Sequence, residues 1–302
     1  MPTNQTDYKI DNMRKAAKKR FHLTLWLTLL LFLIVCAGVL ALANAAHGEI
    51  YGNDIVVVVA VGFGCAIAGF FILYWLLVKK KYDQFNATYK ESYVLEMLQQ
   101  NPKFKNVYYS PKAGLPYQTM KRVGAVPVGM ERYFESEDML SGSYRNVKFF
   151  ISDVVTKKTV YRDGKNEIDT LFSGQVICLE GLPKKSDSLL QVIQKGFPRM
   201  AHMGHVVRME WEAFNDIFQV YAENPHNAFF MLTPQKTEQL VAFAKAVQIP
   251  FSVVFESNRI FIALHSQKSM FDADMTQALH KQKASITKDV QGLEKALDIF
   301  LY

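Results

Sequence analysis

His202 and His205 stand in an H-x-x-H spacing with Glu210 a few residues further on, the kind of donor set that can hold a divalent metal. Such ligands work when a regular element fixes their separation, and Pro198 to Gly204 contains both Pro and Gly, so the segment reads as a loop. Exposed histidines are the more economical reading, with His202 and His205 kept as the metal candidates. Glu135, Glu137 and Asp138 form a second cluster, and paired carboxylates can divide into general acid and general base when their environments separate their pKa values. Without an identifiable nucleophile or base beside them, they read as a solvated loop. The chain contains no G-x-S-x-G, no Walker-type glycine loop, no G-x-G-x-x-G after a strand and no H-E-x-x-H. Three cysteines, Cys36, Cys65 and Cys178, offer neither a disulfide framework nor a zinc spacing, which fits a reducing compartment. No catalytic residue and no cofactor follow from these patterns.

The elements that would position any site begin with two uncharged apolar runs, Leu23 to Ala43 and Ile55 to Val78. At about 1.5 Å per residue, each is long enough to cross a hydrocarbon core of roughly 30 Å. A cleavable signal peptide is the competing account of the first run, since Ala43-Asn44-Ala45 has a small-x-small pattern. The run is longer than a signal h-region, and the second run would remain after cleavage.

The formal charge of +7 gathers around these runs. Residues 1–20 carry six cations against two acids, Lys79, Lys80 and Lys81 follow the second run, and the connecting loop holds only Glu49 and Asp54. Residues 82–302 are nearly neutral, so nucleic acid is not an expected partner. The charge asymmetry predicts both termini on the cytoplasmic side of a bacterial inner membrane. It also predicts contact between anionic lipid and Arg14, Lys15, Lys18, Lys19, Arg20, Lys79, Lys80 and Lys81. Small residues recur at intervals of four, Ala37, Ala41 and Ala45 in one run and Ala60, Gly64 and Ala68 in the other. Such stripes predict close packing of the two helices as an antiparallel hairpin, with homo-oligomerisation as the alternative use.

From Tyr82 to Gln100, apolar residues at Tyr82, Phe85, Tyr89, Tyr93 and Met97 predict that the second helix continues as an amphipathic stalk until Asn101-Pro102. A short strand at Val107 to Tyr109 and a helix at Tyr117 to Val123 come next. Strand-like runs follow at Val147 to Ile151, Lys158 to Tyr161, Leu171 to Leu179, Val206 to Met209 and Phe218 to Tyr221, with Asp163-Gly164 as a hairpin loop. Ser188 to Ile193 fits either a strand or a helix. Thr233-Pro234 supplies an N-cap and a first-turn Pro for a helix whose apolar face is Leu240, Phe243, Ala244 and Val247. A hairpin of Phe251 to Phe255 with Ile260 to Leu264 is predicted to pack under it. Ile286, Val290, Leu293, Leu297 and Phe300 mark a final docked helix. Helices and strands do not alternate regularly, which predicts an α+β domain with a largely antiparallel sheet.

One ordered set of residues is more specific than any catalytic motif. Glu137-Asp138, Gly142, Phe149, Ser152 and Phe172-Ser173-Gly174 are followed by Glu212-x-Phe214, Phe218-x-Val220-Tyr221, Ala228, Leu232-Thr233-Pro234, Asn258 to Ala263 and Phe271. This order resembles the bacterial domain-of-unknown-function family 3137, whose members are often automatically labelled galanin, over most of residues 80–302. The stretch Lys184 to His205 departs from the commoner pattern. The resemblance implies membrane spans ahead of a cytoplasmic domain and implies no activity.

The expected organisation is a basic tail at 1–20, a two-helix transmembrane hairpin at 21–78, a helical stalk at 79–101 and a cytoplasmic α+β domain at 102–302. The expected role is a membrane-anchored scaffold or adaptor that binds a protein partner. The alternatives are a membrane-associated hydrolase assembled from dispersed residues such as His202, His205 and Asp138, or an accessory subunit of a membrane complex.

Overall fold

The computed structural model describes residues 4–47 and 52–301. The chain divides into two compact units, one of residues 1–93 with 273–284 and one of 94–272 with 285–302.

In the first unit, α1 (Asn4–His47) and α2 (Gly52–Leu73) are antiparallel, and part of the predicted connecting segment, residues 48–51, lies outside the described residues. A π-helical turn (Tyr74–Lys79) leads into α3 (Lys80–Tyr89), and a second (Lys90–Val94) ends this unit, with α4 (Leu95–Gln100) falling in the second. The hairpin packs through a different stripe from the one the small residues suggested. A β-carbon at Gly62 would meet Cys36 Sγ at 2.6 Å, and one at Gly69 would meet Leu31 Cδ2 at 2.5 Å, whereas nothing lies within 4 Å of Gly64. Ala60, Gly64 and Ala68 face outward, as do Ala37, Ala41 and Ala45. Knobs such as Leu31 and Phe32 need a hole opposite them, and Gly62 and Gly69 provide it two helical turns apart.

Both helices are long and apolar enough to cross a membrane, and their apolar windows are 0% and 17% buried. That exposure separates them from the core helices of a soluble domain, which bury such residues. Trp26 and Trp75 point outward at the end of the pair where the cations lie, the location tryptophan favours at a membrane–water boundary.

The amphipathic continuation through α3 buries Phe85, Tyr89 and Tyr93, as its spacing predicts. The segment 273–284 is tied to this unit by polar contacts. The Ala273 amide donates to Asn86 Oδ1 at 2.8 Å, Tyr82 Oη donates to the Ala273 carbonyl at 2.9 Å, and Lys283 Nζ meets the Asp7 carboxylate at 2.7 Å.

The second unit is built on one nine-stranded antiparallel sheet in the order β1-β2-β3-β4-β9-β8-β5-β7-β6. Its strands are β1 (Phe104–Ser110), β2 (Glu135–Tyr144), β3 (Val147–Arg162), β4 (Lys165–Glu180), β5 (Ser186–Gln194), β6 (His205–Val207), β7 (Phe218–Ala222), β8 (Phe251–Ser257) and β9 (Arg259–Leu264). The α+β class with a largely antiparallel sheet is therefore correct. Helix α5 (Tyr117–Val123) places Met120 and Val123 against Val154, Val176, Val254 and Phe261 on one face of the sheet. On the other face, Phe243 of α8 (Pro234–Val247) packs on Phe251 at 5.1 Å and on Phe300 of α9 (Leu279–Leu301) at 6.4 Å. Covered on both faces, β4 is apolar without alternation from Val176 to Leu179 and β8 is buried without alternation from Phe251 to Phe255. Two short helices, α6 (Glu212–Asn215) and α7 (Pro225–Met231), flank β7.

The ambiguous stretch Ser188 to Ile193 is part of strand β5. The runs at Val147 and Lys158 are one strand, which turns at Asp163-Gly164, where both residues have positive φ as a two-residue hairpin of this twist requires. Pairing of β3 with β2 stops at Val155 and pairing of β4 with β9 starts at Gln175. The ribbon between these limits therefore projects as a two-stranded arm. One face carries Thr159, Tyr161 and Ile168, while Arg162 bridges to Asp169 at 2.7 Å on the other.

Candidate functional site

His202 and Glu210 fall in irregular segments either side of β6, and His205 opens that strand opposite Ala222. The His202 imidazole stacks on Tyr221 with ring centres 4.0 Å apart and planes within 7°. Among the described residues, no group of three His, Cys, Asp or Glu side chains is arranged to hold a metal ion.

The acidic cluster is not a loop. Glu135, Glu137 and Asp138 lie in β2, where a bulge between Glu137 and Leu140 interrupts the pairing with β3. At the bulge Asp138 adopts positive φ and its carboxylate accepts a hydrogen bond from Tyr109 Oη. Glu135 pairs with Lys157 Nζ at 2.7 Å. Acidic residues disguise a strand because an exposed edge ribbon needs apolar residues on one face at most. Strands β2 and β6 are seven positions apart in the sheet order. At about 4.8 Å per strand that is roughly 30 Å, so the sheet does not bring the acids and histidines together. Cys178 is buried on β4, and desolvation pushes its thiol up to about 12, far from a reactive thiolate.

One concavity of this unit was not legible in any motif. A cavity of about 460 Å³ is lined by Met209, Trp211, Phe229 and Leu232, with Glu210 and Glu238 at its polar margin. Local hydrogen bonds make this wall. Asn215 Oδ1 accepts from the Met209 amide at 3.1 Å and Nδ2 donates to the Met209 carbonyl at 2.8 Å, closing the segment that presents Trp211. Asn224 caps α7 and Thr233 caps α8, each by accepting a backbone N–H. Asn227 anchors α7 to β5 by donating to Ser186 Oγ at 2.7 Å and to the Ser188 carbonyl at 3.1 Å.

With Asn227, Ala228 and Met231 turned inward, helical geometry sends Phe229 and Phe230 outward. Phe229 is 45% exposed, Phe230 57% and Trp211 39%, an aromatic concentration that a solvated surface does not favour. Lys184 Nζ lies over the Phe230 ring, 4.1 Å from its centre. Among the described residues, no cation is paired with Glu210 or Glu238. The sequence signal for this surface was the set Trp211, Phe229 and Phe230 itself, which reads equally well as core until burial is known.

The family model described as "Protein of unknown function (DUF3137)" matches residues 165–300. Over that stretch the chain is similar to the DUF3137 family. The match opens at the first residue of β4 and closes within α9, so the DUF3137 stretch contains the aromatic cavity, both histidines and the α8–β8–β9 layer. The β2 acids lie ahead of it. Among curated proteins, nothing matches the chain. Among solved structures, the crystal structure of the mycobacterial trehalose monomycolate transport factor A, TtfA, is similar at 14% identity with a TM-score of 0.37, covering 68% of this chain and 90% of that one.

Proposed function

We propose that this protein is an adaptor anchored in a bacterial inner membrane by the α1–α2 hairpin, with both termini cytoplasmic and the sheet domain carrying the protein-binding surface. The observation that carries the reading is the pairing of two kinds of exposed apolar surface. One belongs to helices of spanning length, and the other is a cavity edged by Trp211 and Phe229. Lipid covers the first at no desolvation cost, and a protein partner covers the second.

Free carboxylates at Glu210 and Glu238 suit a partner segment that carries Lys or Arg beside an apolar anchor. Aromatic side chains gathered in a concavity are the usual energetic centre of such contacts. Tethering raises the local concentration of domain and partner, so an interface of modest size suffices.

Cross-linking in intact cells followed by purification and mass spectrometry tests this. The full chain, a chain with an unrelated hairpin in place of 21–78, and the Trp211→Ala/Phe229→Ala variant are compared. A stoichiometric partner recovered with the first two and lost by roughly tenfold or more with the third is the expected result. Recovery of the chain alone, or of the same partner with all three, refutes the assignment.

A further inference from the structure

Strand β6 stands last in the sheet order, so one of its sides pairs with β7 and the other faces no strand among the described residues. The pairing decides which backbone groups are left over. Between β5 and β7, the Glu223 amide donates to the Leu189 carbonyl at 3.4 Å and the Lys195 amide to the Ile217 carbonyl at 2.8 Å. Leu190 with Ala222 and Gln194 with Phe218 are therefore opposed pairs of the non-hydrogen-bonded kind. Because peptide groups alternate in direction along a strand, Ala222 and Val220 turn theirs toward β6, where His205 and Val207 meet them. Val206 and Arg208 then send their N–H and C=O groups to the open side, where nothing among the described residues pairs with them.

Side-chain contacts lengthen this short strand and hold both of its ends. The Asn215 amide occupies the Met209 N–H and C=O as a neighbouring strand would, and burial keeps alternating past β6, with Val207 and Met209 buried and Val206, Arg208 and Glu210 exposed. At the other end, Gln191 Oε1 accepts from the Met203 amide at 2.8 Å, and a β-carbon at Gly204 would overlap the Ala222 carbonyl, which fixes the entry into β6. The opposite edge of the sheet is built differently. Strand β1 is interrupted by a bulge between Lys105 and Tyr108, with Asn106 at positive φ, a device that keeps further strands off an edge. Beside β6 lies instead the cavity of Met209, Trp211 and Phe229, and Val206 on the strand itself is 71% exposed.

We infer that β6 accepts an extended segment of a partner protein as an added antiparallel strand, bonded to the Val206 and Arg208 backbone, with an apolar side chain in the cavity beside Met209 and a Lys or Arg within two residues of it. Directly opposed residues of neighbouring strands share a face, and Met209 lines the cavity, which places the apolar anchor opposite Met209. The carboxylates of Glu210 and Glu238 at the cavity margin select the basic residue. Main-chain bonds supply affinity for any sequence, and the cavity with its two acids supplies the choice among sequences. The inference rests on the protein-binding surface proposed above and specifies the conformation and the pattern of its occupant.

The test selects short peptides from a random display library on the purified full chain in detergent micelles and measures their affinities as synthetic peptides. Sequences with an apolar residue and a Lys or Arg within two positions of it are expected, weakened by roughly tenfold in the Trp211→Ala/Phe229→Ala variant. N-methylation of such a peptide at each residue in turn is expected to give an alternating profile, roughly tenfold weaker where the N–H meets β6 and within about twofold at the positions between. Val206→Pro, which deletes an N–H that the sheet does not use, is expected to weaken binding by a similar factor, and Val206→Thr to leave it unchanged. A methylation profile without alternation, read on the unaltered chain, overturns strand addition, as does equal binding to Val206→Pro and the unaltered chain. Peptides that fail in this way and still depend on Trp211 and Phe229 refute the added strand alone. A library that yields no peptide dependent on those two residues refutes the protein-binding surface as well.

Discussion

Lys236 occupies the first turn of α8, where the partial positive charge of the helix terminus disfavours a cation. Burial, with a smaller contribution from Lys184, pulls its pKa down from the usual 10.5 to about 8. The ammonium donates to the Ile299 carbonyl near the end of α9, which retains it there. A lysine whose folded pKa is lowered penalises the folded state while it is charged in both states, and the penalty is relieved as pH rises from about 8 toward 10.5. The full chain in micelles is therefore expected to gain stability through that window, and Lys236→Met to show a smaller gain. Matching pH profiles of the unfolding midpoint in the two proteins would refute the assignment.

At the next scale, glycines decide how closely elements can approach. A β-carbon at Gly174 in β4 would lie 2.0 Å from the Leu264 carbonyl oxygen, a backbone atom that cannot rotate away. One at Gly142 in β2 would lie 3.0 Å from the Lys105 carbonyl. Gly174→Ala is expected to destabilise the chain by about 2–3 kcal/mol and Gly142→Ala by about 1 kcal/mol or less, as denaturant titration in micelles would measure. Equal effects would place the tight contact elsewhere.

Legibility at this scale followed the strength of local signals. Helix α5 and the Thr233-Pro234 start of α8 were readable because capping and turn chemistry act within a few residues. The five apolar positions of α9, Ile286 to Phe300, are all buried because a period near 3.6 admits only one facing direction. Strand β2 was missed because its pattern of acids and serines holds no buried alternation until Leu140. The small-residue stripes pointed to the wrong faces of α1 and α2 because spacing identifies a narrow face without saying what packs on it.

At the scale of the whole molecule, residues 273–284 belong to the same unit as α1 and α3, far from them in sequence. Hydrogen bonds from Lys283 and Tyr93 hold the Asp7 carboxyl below its usual range, although desolvation works in the opposite direction. Deleting residues 1–78 removes Asp7 and leaves Lys283 without that partner. Trypsin is expected to cleave after Lys281 or Lys283 roughly tenfold faster in the truncated chain than in the full chain in micelles. The sheet should keep cooperative unfolding in both. Equal cleavage rates would show that the segment does not depend on α1.

The sequence by itself determined the two apolar runs, the cations beside them, the α+β class and the starts of α5 and α8, because length, charge and local capping act without reference to distant residues. Tertiary structure alone decided which aromatic side chains are core and which are surface. Phe218 and Phe229 are the same residue type eleven positions apart, yet one is buried against Phe251 and the other edges an open cavity. It also decided that the histidines and the β2 acids belong to distant strands, since strand order is set by pairing between residues far apart in sequence, which no local spacing encodes.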